Sequence, residues 1–255
     1  MVPMLLNDKK GLIVGIANEH SIAAGCAKAF HEAGANLAVT YLSEKAKPFV
    51  EPIAKDLEAD LYLPLDVTND EQMDALFQAI EQKWGKLDFL LHSIAFCPKD
   101  DLHGRVTDCS RDGFTKAMDI SVHSFIRMAK RAEPLMKEGG TLLTVTYHGA
   151  EKVVDHYNIM GPVKAALEAT TQYLSVELGQ KNIRVNALSP GPLHTRAASG
   201  IDHFDELVDD AKERAPLHRL VTIEEVGAMA SYLVSDGGRS VSGNIAFIDA
   251  GHHVV

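Results

Sequence analysis

Cysteine is scarce and unpaired in pattern: Cys26, Cys97 and Cys109 stand apart among 255 residues, with no CxxC. That argues against a zinc ribbon, a thioredoxin-type site and a disulfide-stapled small fold, and it suits a reducing cytoplasm. No apolar run approaches the ~18 residues of a membrane span. Met1 to Lys10 has no basic start leading into an apolar core, so no signal peptide is expected. Positive charge is also short, with 25 basic against 35 acidic residues and a net charge of −10. Chains that grip phosphate backbones are usually basic, so nucleic acid is not an expected partner. The 12 histidines contain no HExxH, and His252-His253 reads as a solvated pair, so no metal site is expected.

What remains is an ordinary globular composition, 46% hydrophobic and 24% charged. No repeat, low-complexity stretch or linker divides the chain, which reads as one domain over 1–255. Short β-rich apolar runs alternate with helical patterns. Strands are expected at Lys10–Ile16, Asn36–Tyr41, Leu61–Leu65, Leu87–Ser93, Thr141–Tyr147, Ile183–Leu188 and Asn244–Ile248. Helices are expected at Ser21–Glu32, Lys47–Leu57, from Thr68 to about Trp84, Arg111–Met136, Tyr157–Gly179 and from Thr222 to Ser235. Thr68 with Glu71, and Thr222 with Glu225, have capping-box spacing. Seven strands alternating with helices imply an α/β, doubly wound Rossmann fold, a parallel sheet with helices on both faces. Such sheets bind ligands beyond the C-terminal ends of their strands. The segments to watch are therefore 15–21, 41–45, 66–67, 93–97, 147–157 and 189–197.

The first of these is Gly15-Ile16-Ala17-Asn18-Glu19-His20-Ser21, which is not GxGxxG. It fits either a tight strand-to-helix turn or a loop holding a dinucleotide pyrophosphate at a helix N-terminus. Ser21 would cap that helix, bind the phosphate, or do both. The second strand ends in Thr40-Tyr41-Leu42-Ser43, with no acid at its tip for ribose hydroxyls and with Lys45 and Lys47 just beyond. NADH and NADPH both stay open on these residues.

The sharpest pattern is Tyr157-x6-Lys164. In a helix, seven residues fall about 20° short of two turns, so both side chains share a face. A tyrosine hydroxyl can donate to an oxyanion, and a lysine can hold ribose hydroxyls. The pair alone also fits an amphipathic helix with one aromatic and one exposed lysine. In context the chain resembles the short-chain dehydrogenase/reductase superfamily, and within it the bacterial enoyl-acyl-carrier-protein reductases. The superfamily's Tyr-x3-Lys fails because position 161 is glycine, but the reductase variant spaces the pair by seven and adds a tyrosine ten residues upstream, where Tyr147 stands. The likeness extends through Gly15/Ser21-Ile22, Asp66-Val67, Ser93-Ile94-Ala95-Phe96, Arg184-Val185-Asn186-Ala187, Pro190 to Thr195 and Ala197 to Ile201.

The resemblance implies hydride transfer from NADH, with NADPH as the alternative, to the β-carbon of a trans-2-enoyl thioester on acyl carrier protein, in fatty-acid synthesis. It implies Tyr157 as enolate donor, Tyr147 as second acid and Lys164 on the ribose. Gly15, Ser21 and Ile22 would hold the pyrophosphate region, and Leu42 the adenosine end. Asp66 and Val67 would contact adenine, Ser93, Ile94 and Ala95 the nicotinamide ribose, and Leu193 and Thr195 the carboxamide and pyrophosphate. Cys97, Met160, Ile201 and Phe204 would face substrate, under a lid at about 194–215. A cytoplasmic homotetramer is implied, with helices 111–136 and 157–179 in its interface.

Three departures stand out. Ala95 replaces a common glycine, and Asp249-Ala250-Gly251 replaces Asp-Gly-Gly. The lid is acidic, with Asp202, Asp205, Glu206, Asp209 and Asp210. An acidic carrier would be repelled there, leaving Lys99, Arg105, Arg196, Lys212, Arg214 and Arg219 as candidate docking cations, or a different carrier. The alternatives are a carbonyl or alcohol oxidoreductase of the same superfamily, an enoyl-CoA reductase and a catalytically dead dinucleotide sensor.

Overall fold

The structure is a computed structural model and describes residues 5–195 and 204–255. Strands β1 (Lys10–Val14), β2 (Asn36–Tyr41), β3 (Leu61–Pro64), β4 (Phe89–His92), β5 (Gly140–Val145), β6 (Ile183–Pro190) and β7 (Ile245–Ile248) form one sheet. Every pairing is parallel and the order is β3-β2-β1-β4-β5-β6-β7. This is the expected doubly wound arrangement. The order reverses at β1, so a crevice opens between the C-terminal ends of β1 and β4.

The central strands are mostly apolar because both faces are covered. Successive side chains alternate faces. Leu12, Val14, Leu90, Leu142 and Val185 pack toward one core, and Ile13, Phe89, Leu91, Leu143 and Leu188 toward the other. Over the first face lie α3 (Asp70–Trp84), α5 (Arg111–Met118), α6 (Ser124–Ala132) and α7 (Met160–Gly179). Over the second lie α1 (Ile22–Glu32), α2 (Lys47–Asp56) and α9 (Ile223–Val234). Helices α1 and α9 meet at Gly25 and Gly227. A Cβ on either would come within 2.6 Å of a facing backbone carbonyl, so the contact requires glycine on both. Short α4 (Lys99–His103) and α8 (Phe204–Arg214) sit beyond the strand ends.

Four expectations change in detail. Helix α3 is capped by Asn69, whose side chain accepts from the Gln72 amide, and not by Thr68. Thr68 instead donates through its amide and hydroxyl to Asp66. The capping box at Thr222 and Glu225 is present as expected. The single helix expected at 111–136 is broken by a π-helical turn at Asp119–His123 and ends in a 3-10 turn at Glu133–Leu135. One long-range and one local contact mark the break. Ser121 turns its hydroxyl to the Phe96 backbone, and Ser124 gives its own to the Ile120 carbonyl. Helix α7 starts at Met160, because His156 and Asn158 take positive φ of 63° and 45° just before it. His252 is buried, and His253 stacks on Phe247 at 3.9 Å and pairs with Asp249 at 2.9 Å, so this pair is not left to solvent.

Candidate active site

A cavity of about 350 Å³ lies at the C-terminal ends of β4, β5 and β6. The crevice beside it begins at Gly15, just past β1, with φ of +111°. A Cβ there would run into the Ser93 carbonyl, so β1 and β4 leave space only for a bare backbone. Ile22 and Ala23 then open α1, where backbone N–H groups lack intrahelical acceptors. Such a cradle suits a phosphate. Ser21 holds the cap position but makes no capping bond, and its hydroxyl donates to the Asn18 carbonyl at 2.7 Å. The short side chain turns back onto its own loop, which removes the capping alternative for Ser21.

Past β4, Ser93, Ile94, Ala95, Phe96 and Cys97 line the cavity. Burial and nearby Asp101 push the Cys97 thiol up to about 11, so it is not a thiolate near neutral pH. From the end of β6 the wall is Pro190 to Leu193 and Thr195, and α8 adds Phe204 and Leu207. At the end of β5 come Val145, Thr146 and Tyr147. Tyr157, Met160 and Lys164 complete the wall from the other side. The structure thus brings Tyr147, Tyr157 and Lys164 together as expected, though not along one helix face. Tyr157 precedes α7 and Lys164 lies within it. The two tyrosine rings meet edge-on, 4.9 Å between centroids.

The electrostatics fix protonation states. Burial, then Tyr147 and Glu168, raises Tyr157 far above its ordinary phenol value. Burial also raises Tyr147 well beyond that value, assisted by Asp210 and Asp249. Both hydroxyls stay protonated at neutral pH and are able to donate. Among the described residues the buried Tyr147 hydroxyl has no hydrogen-bond partner, which leaves it available to a ligand. Burial pulls the Lys164 ammonium down to about 8, while Glu168 partly opposes it. That ammonium donates to the Val145 carbonyl at 2.6 Å.

Several expected residues lie outside this cavity. Gly15, Ser21, Leu42, Asp66 and Val67 follow β1, β2 and β3 along the crevice and do not line it. Leu42 is 61% exposed at the β2 tip. Ile201, with Arg196 and Asp202, falls outside the described residues. Sequence reasoning missed Leu102, which reaches the cavity from α4, and Thr146 beside Tyr147. The Leu102 carbonyl accepts from Asn158 at 2.8 Å, which ties α4 to the turn carrying Tyr157.

Beneath the site His92 is fully buried, 3.0 Å from Thr144 Oγ1 and 2.7 Å from Ser124 Oγ. Burial, aided by Lys164, pulls it down to about 3 from 6.5. Above pH 6.5 it is neutral in both folded and unfolded chains. As pH falls toward 3 only the unfolded chain takes the proton, so stability is lost across that window. His92→Phe leaves Ser124 and Thr144 their backbone acceptors, Ile120 and residue 92. We expect unfolding free energy to fall less steeply with acid in this variant, by up to about 1.4 kcal/mol per pH unit. Parallel wild-type and variant curves in denaturant titrations from about pH 6.5 to about pH 5 would contradict it.

The family model described as Enoyl-(Acyl carrier protein) reductase matches residues 15–253. The chain belongs to this reductase family. Among family members, enoyl-acyl-carrier-protein reductase (NADH) 1 of Rhizobium meliloti is 52% identical over 251 residues, covering 98% of this chain and 92% of that one. The Bacillus cereus reductase is 46% identical over 98% of this chain and 99% of its own length. The crystal structure of the Anaplasma phagocytophilum reductase in complex with NAD superposes with a TM-score of 0.96 at 48% identity, covering 100% of this chain and 97% of that one. The reductase of Aquifex aeolicus gives 0.95 at 45% identity over 98% of each chain.

Proposed function

We propose that this chain reduces the carbon–carbon double bond of trans-2-enoyl thioesters on acyl carrier protein, with NADH, in fatty-acid synthesis. The convergence of Tyr147, Tyr157 and Lys164 on one apolar-walled cavity carries this reading.

The site fits a dinucleotide on its own chemistry. Gly15 leaves the cradle a Cβ would fill, and the N-terminus of α1 faces the same crevice. Lys164 spends one donor on Val145 and keeps others for a ribose diol. Asp66 and Val67 serve the adenine, Ser93, Ile94 and Ala95 the nicotinamide ribose, and Leu193 and Thr195 the carboxamide side. When bound, the nicotinamide supplies the hydride. Tyr157 donates its hydroxyl to the thioester oxygen, where negative charge develops, and Tyr147 provides a second donor. Phe204 and Leu207 on α8 hold the acyl chain, as the described part of the lid expected at about 194–215, of which 196–203 lie outside the described residues. The protein contributes placement and electrostatics, and excludes water from the reacting carbons.

The carrier docks beside an acidic helix, with Asp205, Glu206, Asp209 and Asp210 on α8. Three of the candidate docking cations are already engaged: Arg105 with Asp108, Arg214 with Asp210 and Arg219 with Glu225. Lys99 and Lys212 are therefore the better candidates. Exposed Tyr173 and Val176 on α7, 79% and 78% accessible, support the homotetramer reading. The free cysteines fit a cytoplasmic one.

Loss of reduced-nicotinamide absorbance tests the reaction, using crotonyl thioesters of acyl carrier protein and of CoA with NADH and NADPH in parallel. Oxidation that requires the enoyl thioester, is faster with NADH and shows a lower KM for the carrier thioester is the expected result. Reduction of a β-keto thioester or simple carbonyl in place of the enoyl compound would overturn the reading. A lower KM for the CoA ester would move the physiological carrier.

A further inference from the structure

We propose that Glu168 is a positioning residue of the reductase: its buried carboxylate is the counter-charge one turn beyond the Lys164 ammonium, and it clamps the end of β5 through Thr146. The proposal rests on the assignment of Lys164 to the cofactor ribose.

Lys164, Glu168 and Thr171 fall at i, i+4 and i+7 on α7, and all three are buried. A carboxylate only 8% exposed has lost most of its hydration, so it needs compensation from the protein. One part is visible: the Thr146 hydroxyl donates to Glu168 Oε1 at 2.6 Å. Thr146 stands between Val145, whose carbonyl holds the Lys164 ammonium, and Tyr147, which lines the cavity. One carboxylate therefore fixes the stretch of chain that carries both. The other part is Lys164 itself, whose charge attracts Glu168 and is stabilised in return.

The neighbours of Lys164 leave this task to Glu168. From β4, His92 is neutral and its protonated form would repel the ammonium. From the turn before α7, Tyr157 stays a neutral phenol, as does Tyr147 past β5. Glu151, from the turn after β5, acts on Glu168 with like charge and raises it further. Burial raises Glu168, and the Thr146 bond and the Lys164 charge both act to lower it. A plain structural clamp would need the Thr146 bond alone. A counter-charge role adds an effect on where Lys164 loses its proton.

The experiment is NADH affinity by fluorescence titration, with kcat/KM alongside, from about pH 6 to about pH 10. In the wild type we expect affinity to fall through a limb near pH 8, where Lys164 deprotonates. Glu168→Gln keeps an acceptor for Thr146 but removes the charge, and should move the limb about one unit toward acid. Thr146→Val breaks the bond and keeps the charge, and should leave the limb nearer its wild-type place. Glu168→Asp keeps the charge and should return the limb most of the way to its wild-type place. A limb abolished in Lys164→Ala but unmoved in Glu168→Gln overturns the proposal alone. A limb that survives in Lys164→Ala overturns the lysine assignment and the proposal with it. Should Glu168→Gln not fold, the wild type decides. The ¹³C resonances of Glu168 Cδ and Lys164 Cε share an acid-side titration step if the two are coupled, and independent steps refute the coupling.

Discussion

Tyr157→Phe should lower kcat by roughly 10²–10³ and leave NADH affinity within about twofold of wild type. The ring is what packs: Tyr157 is buried, meets Tyr147 edge-on and covers Gly149. Phenylalanine keeps those contacts and removes only the hydroxyl, so the fold is not at stake. The hydroxyl is a committed donor, because burial holds it protonated far beyond neutral pH. Its removal takes away one hydrogen bond that strengthens as charge develops on the thioester oxygen. A donor of this kind is worth about 2.7–4 kcal/mol in a water-excluded site. Loss of transition-state stabilisation lowers kcat, whereas loss of uniform binding would raise KM. Steady-state kinetics with a crotonyl thioester, beside NADH titration of the same preparation, separates these. Unchanged turnover would remove Tyr157 from its role. A rate loss matched by an equal loss of NADH affinity would make it a cofactor-binding residue.

The reach of sequence reasoning follows from the range of the forces involved. Strand positions were legible because burial on both faces leaves a continuous apolar run, as in Leu12 to Val14 and Phe89 to Leu91. Right-handed crossovers then restrict how such strands can be ordered. The capping box at Thr222 was legible because both of its partners are local. At Thr68, two polar residues competed for one cap, and Asp66 claimed the threonine hydroxyl. The π-turn at Asp119–His123 depends on Ser121 reaching Phe96, 25 residues away, which no local pattern encodes. The Tyr157–Lys164 pair was found by spacing, but the helical-face reason for it does not hold, since the positive φ of His156 and Asn158 starts α7 three residues late. Glu168 reads in the sequence as one more charge on a long helix. Only its burial and the Thr146 hydroxyl distinguish it.

Gly15→Ala should weaken NADH binding about 5- to 150-fold and lower the melting temperature as well. Two independent penalties fall on this one methyl group. The φ of +111° lies where L side chains are strained, a cost of about 1–3 kcal/mol. The new Cβ also collides with the Ser93 carbonyl, and neither side can easily retreat. Ser93 donates its amide to the Val14 carbonyl at 2.9 Å, and the neighbouring residues Val14 and His92 are paired in register between β1 and β4. Relief must come from the loop between Gly15 and Ser21, which is the loop assigned to the pyrophosphate. If that loop shifts to remove the clash, the same 1–3 kcal/mol must be repaid on binding, which converts to the stated range at about 1.4 kcal/mol per tenfold. Gly85→Ala supplies the control. Gly85 also has positive φ, 69°, but a Cβ there meets nothing within 4 Å, and it ends α3 away from the cavity. It should cost about 1 kcal/mol of stability and leave NADH affinity unchanged. Thermal melts and NADH titrations on both variants read the two penalties separately. Wild-type affinity in Gly15→Ala would mean that this loop does not hold the cofactor.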